Sequence, residues 1–478
     1  MSPFLVVLIG VVFVVATIAW LKIHPFFALI LAAVLVGALS PVPLEPLKAL
    51  KEGEVAPPQA TLALQHAAWH FGDLVGKIGI VIAMAAVIGI ALMESGAADK
   101  ITRRLLAFLG EKRANYALLS SGYVLSVPVF FDTVFYLLVP LARALRMRTG
   151  RNFLLYVMAI CAGGAVTHSL VPPTPGPLIM VDNLGLDLGQ AILGGFLLGL
   201  PVAIFGGIVL PRMMTRWVDP PIRDTAGSST KELEEIVNKP ESELPGFIVS
   251  ILPVMLPVVL ITLHSVIGAI RKASESPESY DAIMRVTSFL GDKLFALGLG
   301  TVIAVWLMAR QKGHSLKSLT QALEPALMSA GIIILITAAG GAFGAMLKSV
   351  GLREEIAGMV EGNEGFGLVF ILIAWGIAAV MKIAQGSATV AMITASSIMG
   401  GILGTDTDLG FHMIYIFAAV AFGSKFVSWM NDSGFWVVCK MSGFTEEEAL
   451  KSWSVMLGAM GVVGLFEVLI LAWLLPLA

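Results

Sequence analysis

Apolar segments long enough to cross a lipid bilayer run through most of this sequence and constrain its fold more than any other feature. A transmembrane helix needs about 20 consecutive, mainly apolar residues. Of the 478 residues, 57% are hydrophobic and only 13% are charged, whereas a soluble domain carries about 25% charged residues. These properties predict an all-α polytopic membrane protein with about ten transmembrane helices.

The predicted spans follow the apolar segments. They are 3–21, 25–40, 74–96, 153–187, 188–211, 246–270, 292–309, 322–347, 410–438 and 452–475. The polar stretch 41–72 is predicted to connect two spans and to hold a short amphipathic helix at the membrane surface. The longest hydrophilic stretch, 217–245, is predicted to be a cytoplasmic linker that divides the chain nearly in half.

The sequence VTHSLVPPTPGP, Val166 to Pro177, interrupts one of these apolar segments. It holds four prolines, each of which removes a backbone donor and clashes with the preceding helical turn. Unpaired backbone in hydrocarbon costs several kcal/mol per group unless it lines a cavity walled by protein. The span 153–187 is therefore predicted to be broken. The stretch SKFVSWMNDSGFW predicts a second break within 410–438.

Two further apolar segments, 115–142 and 366–404, have flanks that a single crossing cannot satisfy. Basic residues flank 115–142 on both sides, in ADKITRRLLAFLGEKRAN and ARALRMRTGRN. Short loops rich in Lys and Arg face the cytoplasm, so both ends belong on the same side. The flanks of 366–404 are mainly acidic, in LKSVGLREEIAGMVEGNEG and GTDTDLG. We therefore predict two re-entrant hairpins, the first entering from the cytoplasm and the second from outside.

The two halves of the chain resemble each other in sequence. LMESGAADKITRRL (92–105) aligns with MLKSVGLREEIAGM (346–359), and the same offset aligns the two hairpin tips. Residues 1–216 and 246–478 are therefore predicted to be repeats, each with an odd number of spans and one hairpin. Because that number is odd, the second repeat is inverted. Inverted-topology repeats with interrupted helices are typical of secondary transporters, which bind substrate near the middle of the bilayer.

The two hairpin tips and the two breaks converge in this arrangement. They hold most of the ionisable side chains at membrane depth, where such groups are costly and usually functional. Half-helix N-termini with free N–H groups also suit a carboxylate. The predicted substrate-binding residues are Asp132, Thr133, Thr167, His168, Thr174, Lys382, Gly386, Ser387, Thr389, Lys425, Asn431 and Asp432.

Some of these residues have a structural alternative. Lys382 can extend its side chain toward a membrane interface. Lys425 and Asp432, seven residues apart, can neutralise each other as a structural ion pair. Asn431 can cap the half-helix that follows it.

The predicted proton carrier is an intramembrane carboxylate. Asp132 is the first candidate because it has no partner nearby in the sequence, and Asp432 is the second. His168 is the third, although it can instead donate to the broken backbone. Sodium coupling stays open, since a sodium site built from hairpin-tip carbonyls would look much the same in sequence. The cysteines, Cys161 and Cys439, have no metal-ligand spacing, and neither a metal nor a cofactor is expected.

The motifs at the four interruptions resemble those of the gluconate permease family of proton symporters, within the ion transporter superfamily. The resemblance is carried by VTHSLVPPTPGP, by KIAQGSATVAMITA, and by VSWMNDSGFW followed by KSWSVMLG. It extends over nearly the whole chain. It implies proton-coupled uptake of gluconate or a related sugar acid across a bacterial inner membrane, by a homodimer with two re-entrant hairpins.

The sequence departs from the family pattern at three places. Asp132 is followed by Thr133 and Val134 where Val-Gly is usual, Lys382 stands where arginine is frequent, and NDSGFW replaces NDPGFW. Lysine lacks the bidentate grip of arginine on a carboxylate. The family also handles other hydroxy acids and D-serine, so the alternative is a permease for D-serine or another small carboxylate, with sodium coupling left open.

Two other functional classes are less favoured by the sequence. An intramembrane enzyme would need a catalytic constellation, and neither HExxH nor GxSxG is present. A channel would need a pore lined by rings of charge or carbonyls, whereas single buried charges at two opposed hairpins suit alternating access. The net charge of −2 gives no reason to expect a nucleic-acid partner.

Overall fold

The computed structural model describes residues 1–47, 49, 55–150, 153–223, 240–274, 276–313, 316–351, 366–404 and 408–477. Within these ranges the chain forms helices and turns and no β-strand. The α-helices, numbered in chain order, are α1 (Pro3–Ala19), α2 (Pro25–Leu39), α3 (Gln59–Glu94), α4 (Ala97–Leu109), α5 (Ala114–Leu125), α6 (Phe131–Thr149), α7 (Phe153–Leu170), α8 (Pro175–Leu184), α9 (Leu188–Ile204), α10 (Leu210–Met214), α11 (Phe247–Ala273), α12 (Asp281–Leu290), α13 (Lys293–Lys312), α14 (Leu316–Lys348), α15 (Phe366–Gln385), α16 (Ala388–Leu403), α17 (Ile414–Gly423), α18 (Ser433–Ser442), α19 (Glu446–Ala449) and α20 (Val455–Leu474).

Eight helical segments in the described ranges are long and apolar enough to cross a membrane. They are α3, α7 with α8, α9 with α10, α11, α13, α14, α15, and α19 with α20. The apolar helices α1 and α2 are shorter, with 17 and 15 residues, and rise about 25 Å or less at 1.5 Å per residue. The prediction of an all-α polytopic membrane protein is confirmed.

The predicted connection 41–72 is too long, because α3 begins at Gln59 and continues without interruption for 36 residues. Residues 48 and 50–54 of this stretch lie outside the described residues, so the short amphipathic helix stays a prediction. His66, His70, Asp73 and Lys77 recur at helical spacing and so lie on one face of α3. Lys77 pairs with Asp73 at 2.9 Å. The polar residues thus extend the membrane helix instead of ending it.

Both predicted breaks are present. The first separates α7 from α8, which begins at Pro175. Proline suits the first helical position, because its missing N–H has no intrahelical partner there. The Thr174 hydroxyl donates to the carbonyls of His168 at 3.0 Å and Val171 at 2.9 Å, which satisfies backbone acceptors in the gap. The second break separates α17 from α18, which begins at Ser433.

Helix–turn–helix units occupy the two segments predicted to be hairpins. Residues 126–130 join α5 to α6, while Gly386 and Ser387 join α15 to α16. Gly386 has a φ of 81°, a conformation that glycine adopts without strain. A Cβ at this position would lie 2.1 Å from the carbonyl oxygen of Asn431. The second turn therefore needs glycine. That the two units enter the membrane from opposite sides stays a prediction.

The helices of the two halves recur in the same order and make reciprocal contacts. Helix α3 packs against α14, α5 packs against α7 as α15 packs against α17, and α6 packs against α18 as α16 packs against α8. Two repeats related by a two-fold axis would give such reciprocal pairs. The repeat boundaries themselves stay a prediction.

Candidate functional site

A polar cavity of about 390 Å³ lies where the two helix–turn–helix units meet the two breaks. The first turns of α6, α16 and α18 and the last turns of α7 and α15 contribute to its wall. Eight of the predicted binding residues line it, namely Asp132, Thr133, His168, Lys382, Ser387, Thr389, Lys425 and Asp432.

The other four predicted residues lie outside the wall of this cavity. Thr167 is completely buried, and the Thr174 hydroxyl is occupied by carbonyls of its own break. The Gly386 carbonyl accepts a hydrogen bond from Lys382 Nζ at 2.5 Å. Asn431 is exposed and donates to the carbonyl of Ile383 at 2.9 Å. Thr174, Gly386 and Asn431 hold the interrupted backbone together, a role that follows from the unpaired groups that breaks create, whereas the Thr167 hydroxyl has no hydrogen-bond partner among the described residues.

An ion pair between Lys382 and Asp432 connects the last turn of α15 to the start of α18. Lys382 Nζ lies 2.7 Å from Asp432 Oδ2, and the side chains are only 2% and 10% exposed. The same oxygen accepts a hydrogen bond from the Ser428 hydroxyl. A buried pair is stable only with good geometry and additional hydrogen bonds, and both are present. The alternative that Lys382 extends to a membrane interface is therefore wrong.

Asp432 also caps α18, since its Oδ1 accepts a hydrogen bond from the Gly434 N–H at 3.0 Å. The alternative that Asn431 is the cap is wrong. Both carboxylate oxygens of Asp432 are thus engaged, one by a helix end and the other by Lys382 and Ser428. This carboxylate is fixed in position.

Among the described residues, Lys425 contacts only neutral partners. It is 3% exposed, and its Nζ donates to the Ala165 carbonyl and to Ser169 Oγ, the latter at 2.6 Å. The alternative that it forms a pair with Asp432 is wrong, because Lys382 occupies that position. Among the described residues, no carboxylate lies within ion-pair distance of Lys425. Its ammonium is therefore available for a bound anion.

Asp132 and His168 are the unpaired titratable groups of the cavity wall. Asp132 lies in the first turn of α6, and neither side chain makes a hydrogen bond or ion pair within the described ranges. The His168 ring lies 6.1 Å from the ring of Phe130, centroid to centroid. Both groups can thus exchange a proton without breaking a bond to the protein.

Three helices direct their N-termini at the cavity, since the first residues of α6, α16 and α18 line it. The N-terminus of a helix carries a partial positive charge and unpaired N–H groups, which favour anions. Ser387 caps α16 by accepting from the Val390 N–H at 3.3 Å. With two buried lysines nearby, this arrangement suits an organic anion.

Several wall residues were missed by the sequence reasoning. Ser169 and Ser424 lie within the predicted breaks and could have been found there as polar residues at membrane depth. Ser329 lies inside α14 and Trp453 lies in a π-helical turn before α20. Neither position was selected, although Trp453 lies within the motif KSWSVMLG and Ser329 lies between Pro325 and Gly331 of α14, and these signals could have indicated both positions.

Comparisons with known proteins agree with this arrangement. Residues 2–474 match the profile of the GntP family permeases. A gluconate permease of Pseudomonas aeruginosa is 31% identical over 98% of this chain and 97% of its own length. The high-affinity gluconate transporter of Escherichia coli is 30% identical over 98% of this chain and 99% of its own.

A solved structure is similar over almost the same length. MtrF of Neisseria gonorrhoeae, described as illuminating a class of antimetabolite efflux pumps, has a TM-score of 0.65 at 16% identity, covering 97% of this chain and 98% of MtrF. At that identity the likeness concerns the fold alone. The family profile and the relatives agree with the resemblance found in the sequence motifs. This multi-pass protein of the bacterial inner membrane therefore belongs to the GntP family of permeases.

Proposed function

We propose that this permease is a secondary active transporter that imports gluconate or a related sugar acid by proton symport and alternating access. The proposal is carried by the central cavity, where the Lys425 ammonium has only neutral partners in the described part of the chain and three helix N-termini converge. A sugar acid combines one carboxylate with several hydroxyls. Lys425 and the helix N-termini suit the carboxylate, while Thr133, Ser387 and Thr389 can bond to the hydroxyls. The names of the relatives support the same substrate class.

The charges of the cavity favour one proton per substrate anion. Lys382 and Asp432 cancel as an ion pair, and the charges of Lys425 and Asp132 also sum to zero. A bound monocarboxylate adds one negative charge, which a proton on Asp132 removes. Because charge at membrane depth is costly, anion and proton binding should favour each other through a single coupling free energy.

The repeat architecture belongs to the same proposal. Residues 1–216 and 246–478 are the two inverted repeats, 217–245 is the cytoplasmic linker, and the α5–α6 and α15–α16 units are re-entrant hairpins. The shared helix order and the reciprocal contacts support this assignment. Movement of one repeat against the other around the cavity would provide alternating access. We also propose that the protein forms a homodimer, as the family resemblance implies.

Uptake into proteoliposomes tests the proposed function. Labelled gluconate, other sugar acids and D-serine are presented under an outside-acidic pH gradient, with and without sodium. We expect a sugar acid to accumulate against its gradient without sodium, because an anion and a proton enter together. A potassium diffusion potential set with valinomycin should leave the initial rate almost unchanged, since the loaded cavity is neutral.

Each other outcome contradicts a stated part of the proposal. Equilibration without accumulation indicates a channel, and consumption of the substrate indicates an enzyme. A requirement for sodium contradicts proton coupling, and preference for D-serine contradicts the substrate class. A strong dependence on membrane potential contradicts the one-to-one charge balance. Protein-free liposomes provide the control for leakage.

The topology is tested by single cysteines placed at Arg104 and Gly150, which are exposed on the two sides of the first hairpin. The native cysteines are both buried, so their background reaction should be small. We expect a membrane-impermeant maleimide to reach both new cysteines from the cytoplasmic side only. A third cysteine at Asp408 should react only from outside. Labelling of the first two from opposite sides would contradict the first re-entrant hairpin.

A further inference from the structure

Trp453 reaches the cavity from an irregular helical turn. It lies in the π-helical segment Leu450–Ser454, directly before α20. Such turns are rare and frequently occur at functional sites. Trp453 is 2% exposed, yet it forms part of the cavity wall. It is therefore a large side chain packed between the cavity and the helices behind it.

The indole N–H of Trp453 begins a chain of hydrogen bonds that ends at a carboxylate. Trp453 Nε1 donates to Ser428 Oγ at 2.8 Å, and the Ser428 hydroxyl donates to Asp432 Oδ2. An indole can only donate, so it leaves the single hydroxyl proton of Ser428 directed at Asp432. The chain thus has one direction, and it complements the bond from Lys382 to the same oxygen.

The ring of Trp453 contacts the other half of the molecule. It stacks on Phe131, with ring centroids 5.3 Å apart and an interplanar angle of 27°. Phe131 is the first residue of α6 and precedes Asp132. A single side chain therefore contacts the tip that carries one carboxylate and, through Ser428, orients the other.

We propose that Trp453 is a positioning residue of the substrate site, acting on Asp432 through Ser428 and on the α6 tip through Phe131. This inference rests on the proposed function, because it takes the cavity as the substrate site. Its specific claim is that the indole N–H matters in addition to the aromatic ring. A purely structural tryptophan would need only its volume and its packing.

A double-mutant cycle with Trp453→Phe and Ser428→Ala tests the claim. Phenylalanine keeps an aromatic ring on Phe131 and removes the N–H, while alanine removes the hydroxyl that relays it. Trp375→Phe is the matched control, because Trp375 Nε1 also donates one hydrogen bond, to the Gly461 carbonyl at 2.9 Å. Trp375 also packs on an aromatic ring, that of Phe426, at 4.9 Å, and it lies outside the cavity wall.

We expect each single substitution to raise the KM for sugar acid uptake about tenfold. The KM of the double variant should not exceed the higher of the two single-variant KM values, because the two groups act in one chain of hydrogen bonds and their effects are not additive. Trp375→Phe should keep the wild-type KM. Melting temperatures close to wild type for all four variants would show that the KM changes do not come from unfolding.

Three results would overturn the inference: a wild-type KM in Trp453→Phe, multiplicative losses in the double variant, or an equal KM rise in Trp375→Phe. Failure of the wild-type protein to take up any sugar acid contradicts the proposed function instead. In that case the double-mutant cycle is evaluated from a binding measurement. This is the rise in melting temperature that gluconate, D-serine and the other acids of the panel cause in each variant. Equal stabilisation of wild type and Trp453→Phe by every acid again overturns the positioning role.

Discussion

Asp132→Asn is expected to abolish accumulation of substrate under a pH gradient while preserving substrate exchange across the membrane. Asp132 lines the cavity and has no hydrogen bond or ion pair within the described part of the chain. Asparagine has nearly the same shape but binds no proton at physiological pH. The variant should therefore still bind and carry the anion, with the accumulation ratio falling to about 1 because the link between the two bindings is gone.

Two assays on the same vesicles separate coupling from binding. Uptake under an outside-acidic gradient reports coupling, and counterflow into vesicles preloaded with unlabelled substrate reports carriage alone. Asp73→Asn is a suitable control, because Asp73 is a half-exposed carboxylate paired with Lys77 away from the cavity. If Asp132→Asn concentrates substrate as well as wild type does, Asp132 is not the carrier. Asp432 and His168 are then the carboxylate and the imidazole to replace next.

Local sequence signals were sufficient to predict where the membrane helices are interrupted. Proline at 172, 173, 175 and 177 cannot continue a helix, and the structure ends α7 at Leu170 and begins α8 at Pro175. The turn at Gly386 was similarly indicated by a glycine among small residues, and its positive φ explains that choice. These features depend on the backbone preferences of a few neighbouring residues. They could therefore be predicted without knowing the tertiary structure.

The partners of the buried charges could not be predicted in the same way. One alternative drawn from the sequence paired Lys425 with Asp432, because the two lie close along the chain. In the structure, Asp432 pairs with Lys382, which is 50 positions away, and Lys425 reaches Ser169, which is 256 positions away. The packing of the second break against the end of α15 decides the first contact, and its packing against the end of α7 decides the second. Sequence separation carries little information about them.

Two further wall residues, Ser329 and Trp453, were not predicted from the sequence for a related reason. Ser329 has mainly apolar neighbours and Trp453 lies between two serines, and both become wall residues through the helix face that meets the cavity. Serine and tryptophan are common in membrane helices as packing residues and interface anchors. The residue type alone therefore gave no reason to select these two positions.

Lys382→Met is expected to inactivate transport and to lower the free energy of unfolding by about 3–5 kcal/mol, the usual cost of removing one partner from a buried ion pair. The substitution would leave the carboxylate of Asp432 without its cation, at a site where the side chain is 10% exposed. It would also remove the bond from Lys382 Nζ to the Gly386 carbonyl at the turn after α15. Asp432 and the turn at Gly386 would therefore both lose the hydrogen bond that Lys382 donates to them.

The double variant Lys382→Met/Asp432→Asn separates stability from function. Removing both charges should restore most of the lost stability, because a buried pair often contributes little beyond its own desolvation cost. Transport should not return, since the cavity would lack both the fixed carboxylate and the lysine. Thermal unfolding in detergent and counterflow in vesicles measure the two effects.

Lys451→Met is the matched control for the loss of a lysine from an ion pair. Lys451 pairs with Glu447 at 2.5 Å, but the side chains are 54% and 75% exposed. An exposed pair contributes about 1 kcal/mol or less, so this variant should unfold and transport like wild type. If Lys382→Met is as stable as Lys451→Met, the carboxylate of Asp432 does not depend on Lys382. The buried pair would then serve substrate binding alone. The double variant would show no recovery of stability, because the single substitution had not lowered the free energy of unfolding.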